Sequence, residues 1–445
     1  MHSFRYRDGQ LHCEDTDLGR VAEKFGTPLY VYSAGTILDH YRRLDAALAT
    51  GRIRPTGGLA PVDHLICYAV KANSNRAILK LLAEAGAGFD IVSGGELYRV
   101  LAAGGDPAKC TFAGVGKSFD EIEYALEQRV YSLNVESEAE LEYIDRIAGA
   151  KNQRAPVALR ANPDVDPHTH EYISTGSHEN KFGIALDHLA AVYERAAKMR
   201  NIDIVGVQMH IGSQITEATP FADAIKKVAP FVRQLKSQFG IKFFSIGGGI
   251  GIVYESSFAS GSLDWWNANH GTSAKHQLSI QQYVDAILPP LSELKLRILV
   301  EPGRLLVGNA GVLLTRVRYV KRTGQRKFAI VDAGMNDLIR PALYHSYHEI
   351  VPVREPNNPA REKIDIVGPV CESGDFFALD REMPEIREGD LLAIMSAGAY
   401  AFVMASNYNS RPLPAEALVS RDKFALIRKR QTNEDLIREE VDPQF

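Results

Sequence analysis

The chain has 445 residues, 45% apolar and 24% charged, and its 51 basic and 55 acidic side chains leave a net charge of −4. That length exceeds one ordinary core and predicts two domains. The slightly acidic balance argues against nucleic acid or an anionic membrane as a partner. No apolar run approaches the roughly 20 residues that span a bilayer, and the charged N-terminus "MHSFRYRDGQLHCEDTD" has no hydrophobic signal core. The four cysteines, Cys13, Cys67, Cys110 and Cys371, have no CxxC spacing and form no metal-ligand cluster. They predict free thiols in a reducing cytoplasm and no metal site.

In chain order, "LHCED" and "TPLYVYS" are strand-like and precede a helical pattern at 36–51. Strand and helix then alternate. The strand-like runs are "HLICYAV" (64–70), "GFDIVS" (88–93), "CTFAGV" (110–115), "YSLNVES" (131–137), "PVALRAN" (156–162), "IVGVQMHIG" (204–212), "KFFSIGGG" (242–249) and "RILVEPG" (297–303). Helical patterns such as "GGELYRVLAAGG" and "SEAELEYIDRIAG" lie between them. This alternation predicts βαβ units and a parallel sheet, and eight such strands close a (β/α)₈ TIM barrel. An open doubly wound sheet would carry GxGxxG after its first strand, and no such sequence follows residue 70. From about 311 the texture changes to strand-like runs with little helix: "GVLLTRVRYVKRT", "RKFAIVDAG", "HEIVPV", "KIDIVGPV" and "DLLAIMSAGAY". The expectation is an α/β barrel over 36–305. A mostly β domain would be formed by 306–445 and would take in residues 1–35.

Barrel enzymes draw their chemistry from the C-terminal ends of several strands. Those ends carry Lys71, then Asn134 and Glu136, then Arg160 and Asn162. His210 in "QMHIGSQ", the glycines of "GGGIG" (Gly247, Gly248, Gly249, Gly251) and "EPGR" (Glu301 to Arg304) complete the series. Each has an ordinary reading alone: a snorkelling lysine, a core histidine, a turn, a loop ion pair. Together they describe one chemistry. Glycine amides in a tight loop bind phosphate. A lysine desolvated in a pocket becomes a nucleophile toward aldehydes. A carboxylate can hold a pyridine nitrogen protonated, and a flat imidazole can lie on an aromatic ring. The combination is that of a pyridoxal 5'-phosphate site, which explains a lysine at the mouth of so apolar a strand.

The ordered motifs "YAVKANSN", "HIGSQ", "GGGIG", "EPGR", "CESGD" and "GAYAFVMASNYNSRP" resemble the alanine-racemase-like, fold type III pyridoxal phosphate decarboxylases, and within them the diaminopimelate decarboxylases. The resemblance runs from "FGTPLYVYS" at 26 to "NSRPLPAEALV" at 419. It implies that Lys71 forms the Schiff base with the cofactor, that His210 stacks on the ring and that Glu301 pairs with the pyridine nitrogen. Ser213, Gly248, Gly249, Gly251, Gly303, Arg304 and Tyr400 would complete the cofactor site. Arg304, Arg340, Tyr344, Glu372 and Tyr400 would bind substrate. Cys371, as proton donor, and Glu372 would come from the second subunit of a homodimer. The implied reaction is decarboxylation of meso-2,6-diaminopimelate to L-lysine and CO2, the last step of lysine biosynthesis. Decarboxylases of ornithine, arginine, D-ornithine, D-lysine or carboxynorspermidine remain as alternatives. A cationic substrate end would want an acidic pocket, whereas Arg304 and Arg340 suit a carboxylate. The polar stretch at 256–277, with Trp265 and Trp266 adjacent, is read as a surface insertion, and the stretch at 164–184 resembles the family's loop near the active site. His168, His170 and His178 receive no role.

Overall fold

A computed structural model describes residues 1–50, 62–165, 181–269, 278–357 and 360–445. His168, His170 and His178 lie outside the described residues. The chain divides into two compact units, one of Leu38–Ile252 with Ala274–Leu306, the other of Met1–Ile37, Val253–Ser273 and Val307–Phe445.

The first unit is a closed parallel barrel. Its eight strands are His64–Ala69, Gly88–Ile91, Cys110–Phe112, Ser132–Val135, Ala155–Asn162, Ile202–Met209, Phe243–Ser245 and Arg297–Val300. Each pairs in parallel with the next, and the ring closes where Ile298 pairs with His64. A two-residue strand, Ile184–Ala185, adds to the fifth. The strands are apolar almost throughout because barrel interior and helices bury both faces. Inside, Phe243 packs with Cys67, Ala158, Val205 and Leu299. A Cβ on Gly206 would stand 2.5 Å from the Phe243 ring, so glycine is what admits it.

Side-chain caps start the outer helices close to the strand ends. Asn75, Ser93, Ser118 and Ser137 each accept from an amide in the first turn of the following helix. Such caps stabilise by about 1 kcal/mol each and keep the intervening loops short. Between the third and fourth strands the tie is ionic. Lys117 Nζ donates to the carbonyls of Gly114 and Asn134 and to Glu140 Oε1, at 2.7, 2.8 and 2.7 Å. Glu140 Oε2 in turn accepts from the amide of Glu136 at 2.7 Å.

The second unit is built on a long sheet. Its central strand, Gly311–Thr323, runs antiparallel to Leu29–Ser33, to Arg326–Val331 and to Leu391–Ile394. Leu29–Ser33 is also paired in parallel with Ala415–Ser420, so a segment from the chain's beginning sits inside this sheet. Strands Phe376–Pro384, Ala415–Ser420 and Lys423–Arg428 and a helix at Leu18–Phe25 add to the elements legible in the sequence. Residues Val253–Ser273, expected inside the barrel domain, group with the β unit. The reason is local: Phe258 stacks edge-on against Tyr6, its amide donates to Glu349, and the carbonyl of Ser257 lies 2.8 Å from His2.

The Lys117–Glu140 pair, with 1% and 8% of its side chains exposed, predicts a large asymmetry. Glu140→Ala strands a buried ammonium and should cost about 3–5 kcal/mol, read as a drop in urea midpoint. Removing Glu84 from the exposed Lys80–Glu84 pair should leave the midpoint unchanged.

Candidate active site

Lys71 lies in a single 3-10 turn directly after the first barrel strand. Its Nζ is 2.6 Å from Asp90 Oδ2, and 40% of the lysine side chain is exposed while Asp90 is buried. The sequence predicts a desolvated amine; the structure has an ion-paired ammonium at an open mouth. Asp90 Oδ1 is buried with no hydrogen-bond partner among the described residues. A carboxylate inside the apolar run "GFDIVS" was the signal that could have found it.

Glu301 follows the eighth strand. Oε1 accepts from Ser245 Oγ at 2.6 Å and Oε2 from Gln208 Nε2 at 3.1 Å, so one donor fixes each oxygen. Burial, then the charge of Asp90, raises its carboxyl from 4.5 to about 7 against the opposing pull of Ser245, Lys71 and Gln208. Sequence reasoning missed Ser245 and Gln208, whose role depends on which strands become neighbours.

His210 follows the sixth strand. The amide of Gly248 donates to its Nδ1 at 3.3 Å, so that nitrogen carries a lone pair. Burial first, then Arg160 and Lys71, push the imidazole well below its ordinary range. The ring is therefore neutral with its proton on Nε2. The glycines beside it leave no room for side chains. A Cβ on Gly248 would lie 2.1 Å from the carbonyl oxygen of Glu301, and one on Gly249, at φ 98°, would lie 2.2 Å from that of Gly212. Backbone there packs directly against backbone at the ends of the sixth, seventh and eighth strands.

Arg304 is buried and donates through Nη2 to Ser213 Oγ at 3.1 Å, beside buried Gly303. Glu136 takes Arg160 Nη1 on both oxygens, at 2.9 and 3.2 Å, and accepts from the amide of Gly183. Phe182 lies 4.8 Å from the Arg160 guanidinium. Asn134 and Asn162 are used locally, by Ser132 and by the amide of Asp164. One face of the barrel thus gathers Lys71, His210, Ser213, Gly248, Gly249, Gly251, Glu301, Gly303 and Arg304.

The β unit holds the remaining candidates. Arg340 opens the short helix Arg340–Tyr344 and is buried, its guanidinium 5.2 Å from the ring of Tyr254 and 5.9 Å from that of Tyr344. Cys371 and Glu372 are exposed on one loop. Buried Asp375, missed by sequence reasoning, shapes that loop by accepting from the amides of Met335 and Val370, each at 2.6 Å. The Cys371 amide donates to Asn409 Oδ1 at 2.9 Å. Tyr400 has φ 54° and is half-buried.

Residues 52–308 match the family described as pyridoxal-dependent decarboxylase, pyridoxal binding domain. The chain is 49% identical to the diaminopimelate decarboxylase of Pseudomonas aeruginosa over 98% of both chains. The chain belongs to the diaminopimelate decarboxylase family. It is an enzyme of the pyridoxal-dependent carboxy-lyase class. A diaminopimelate decarboxylase from M. jannaschii in co-complex with L-lysine superposes with a TM-score of 0.87 at 38% identity, covering 99% of this chain and 98% of that one. One from Helicobacter pylori complexed with L-lysine gives 0.84 at 40% identity, over 95% and 98%.

The residues present fit the cofactor this family is named for. The Cβ-free backbone cradle suits a phosphate, the neutral His210 suits an aromatic face, and the doubly held Glu301 suits a ring nitrogen. Buried Glu301 also makes a prediction for cofactor-free protein. Its folded carboxyl sits above its unfolded value, so the folded state keeps a proton between pH 4.5 and 7 that the unfolded chain releases. Stability therefore falls as pH rises through that window. Glu301→Gln should be more stable than the parent above pH 7, by about 3 kcal/mol at ~1.4 kcal/mol per pKa unit. The gap should close near pH 4.5, read from urea midpoints across pH.

Proposed function

We propose that this chain decarboxylates meso-2,6-diaminopimelate to L-lysine and CO2 in the cytoplasm, using pyridoxal 5'-phosphate, and that it works as a homodimer whose sites draw on both subunits. The observation that carries the reading is the set at the barrel mouth: an ion-paired lysine, a neutral histidine, a backbone cradle and a buried carboxylate on successive strand ends. When bound, the cofactor supplies an electron sink for the pair left when the bond to the departing carboxylate breaks.

The chain's own residues do the rest. Asp90 holds the Lys71 ammonium in place, and once that nitrogen has lost a proton its amine would be the group presented to the cofactor aldehyde. Glu301, fixed by Ser245 and Gln208, holds a proton at the ring nitrogen. His210 covers the ring without bringing a charge to it. Gly248, Gly249, Gly251 and Ser213 take the phosphate end, and Gly303, Arg304 and Tyr400 complete the cofactor site. Arg340 and Arg304 grip the distal carboxylate, with Tyr344, Tyr400 and Glu372 around the amino groups. Cys371, exposed on a loop tied down by Asp375, delivers a proton to the carbon that has lost CO2, from the partner subunit.

Two variants and their mixture test the scheme. Lys71→Ala should lose CO2 release from meso-diaminopimelate together with the visible absorbance of bound cofactor. Cys371→Ala should keep the absorbance and lose turnover. Mixing the two should restore about a quarter of parental activity, because half the dimers formed at random are mixed and each carries one intact shared site. No recovery on mixing would place Cys371 in its own subunit's chemistry or outside it. Retained activity and colour in Lys71→Ala would overturn the cofactor assignment.

A further inference from the structure

We infer that His348 is a positioning residue for Arg340: held neutral with its proton on Nδ1, it aims the guanidinium and so sets selection for a carboxylate at the far end of the substrate. The inference rests on the proposed substrate role of Arg340. His348 is fully buried in the β unit, with 0% of its surface exposed. Its two ring nitrogens face partners of opposite kind. Nδ1 lies 2.8 Å from the carbonyl oxygen of Met395, which can only accept, so Nδ1 must carry the proton. Nε2 lies 3.4 Å from Arg340 Nε, which can only donate, so Nε2 must present its lone pair. Only one of the three protonation states of an imidazole satisfies both.

The same ring is built into the stack around the arginine. Tyr254 meets His348 edge-on, with ring centroids 5.2 Å apart, and also lies 5.2 Å from the Arg340 guanidinium. Ser346 Oγ accepts from Arg340 Nη2 at 3.3 Å. An acceptor on Nε, an acceptor on Nη2 and the Tyr254 and Tyr344 rings fix both the plane and the rotation of the guanidinium. A fork that grips a carboxylate on two nitrogens depends on that plane.

Charges facing His348 oppose a second proton. Arg340 confronts Nε2, and Arg381 Nη1 donates to the carbonyl oxygen of His348 at 3.0 Å. The neighbouring acid Glu349 is engaged by Ser257 Oγ and the amide of Phe258, and Glu255 follows Tyr254 in the chain. Protonation of Nε2 would turn the acceptor into a donor facing a donor, beside two guanidinium groups. Substrate binding should therefore weaken on the acid side while cofactor binding does not.

The test compares His348→Leu, His348→Gln and Arg340→Lys in the cofactor-loaded enzyme with meso-diaminopimelate. Glutamine places an amide oxygen where Nε2 stands and does not titrate. Losing a hydrogen bond to a charged group should raise KM by roughly ten- to a hundredfold in His348→Leu. In that variant kcat should change much less and the visible spectrum should be unchanged. His348→Gln should stay within a few-fold of the parent and lose the parent's rise in KM on the acid side, which burial and the two arginines place below the ordinary imidazole range. If Arg340→Lys leaves KM unchanged, the substrate role of Arg340 fails. If Arg340→Lys raises KM and His348→Leu does not, the positioning role alone fails. Should His348→Leu not fold, the pH profiles decide, and identical acid limbs in His348→Gln and the parent overturn the inference.

Discussion

The barrel mouth rests on backbone packed against backbone. The ends of the sixth, seventh and eighth strands approach so closely that a single methyl on Gly248 would stand 2.1 Å from the carbonyl oxygen of Glu301. Interiors at crystal-like density have no slack to absorb such a group. This approach sets three site residues at once. The Gly248 amide reaches His210, the carbonyl of Gly247 receives the Glu301 amide at 2.8 Å, and Ser245, the last residue of the seventh strand, falls beside the Glu301 carboxylate.

Electrostatics follows from that geometry. Two cations, Lys71 and Arg160, face the mouth, each paired with an acid from a neighbouring strand or its end, Asp90 and Glu136. Both act on His210, an imidazole kept neutral by burial first and then by those cations. The carboxyl of Glu301 is raised towards neutrality because it is buried beside Asp90. A cationic ring nitrogen is the partner that would offset both the burial of that carboxylate and its repulsion by Asp90. Perturbed groups of this kind concentrate where chemistry is done.

Much of the fold was legible because the barrel strands are long apolar runs between turn signals. Their ends were less so. "GFDIVS" stops at Ile91 because Ser93 turns to cap a helix, and "KFFSIGGG" stops at Ser245 because its glycines leave the ladder. The strand Phe376–Pro384 was not singled out: three charged residues in succession, Asp380 to Glu382, interrupt its apolar pattern. In the site, Lys71, His210, the glycines and Glu301 were visible as chemistry out of place in apolar surroundings. Ser245, Gln208 and Asp375 were not, since an ordinary polar residue becomes a positioning group only once strand neighbours and loop closures are known. Asp90 could have been found by the same reasoning that found Lys71.

The most direct test of the account is CO2 release by the purified, cofactor-loaded protein on meso-diaminopimelate, ornithine, arginine and D-lysine side by side. The account predicts strong preference for meso-diaminopimelate, with L-lysine as the product. Preference for a substrate ending in a cation would preserve the barrel chemistry and contradict the assignment of Arg304 and Arg340 to a distal carboxylate.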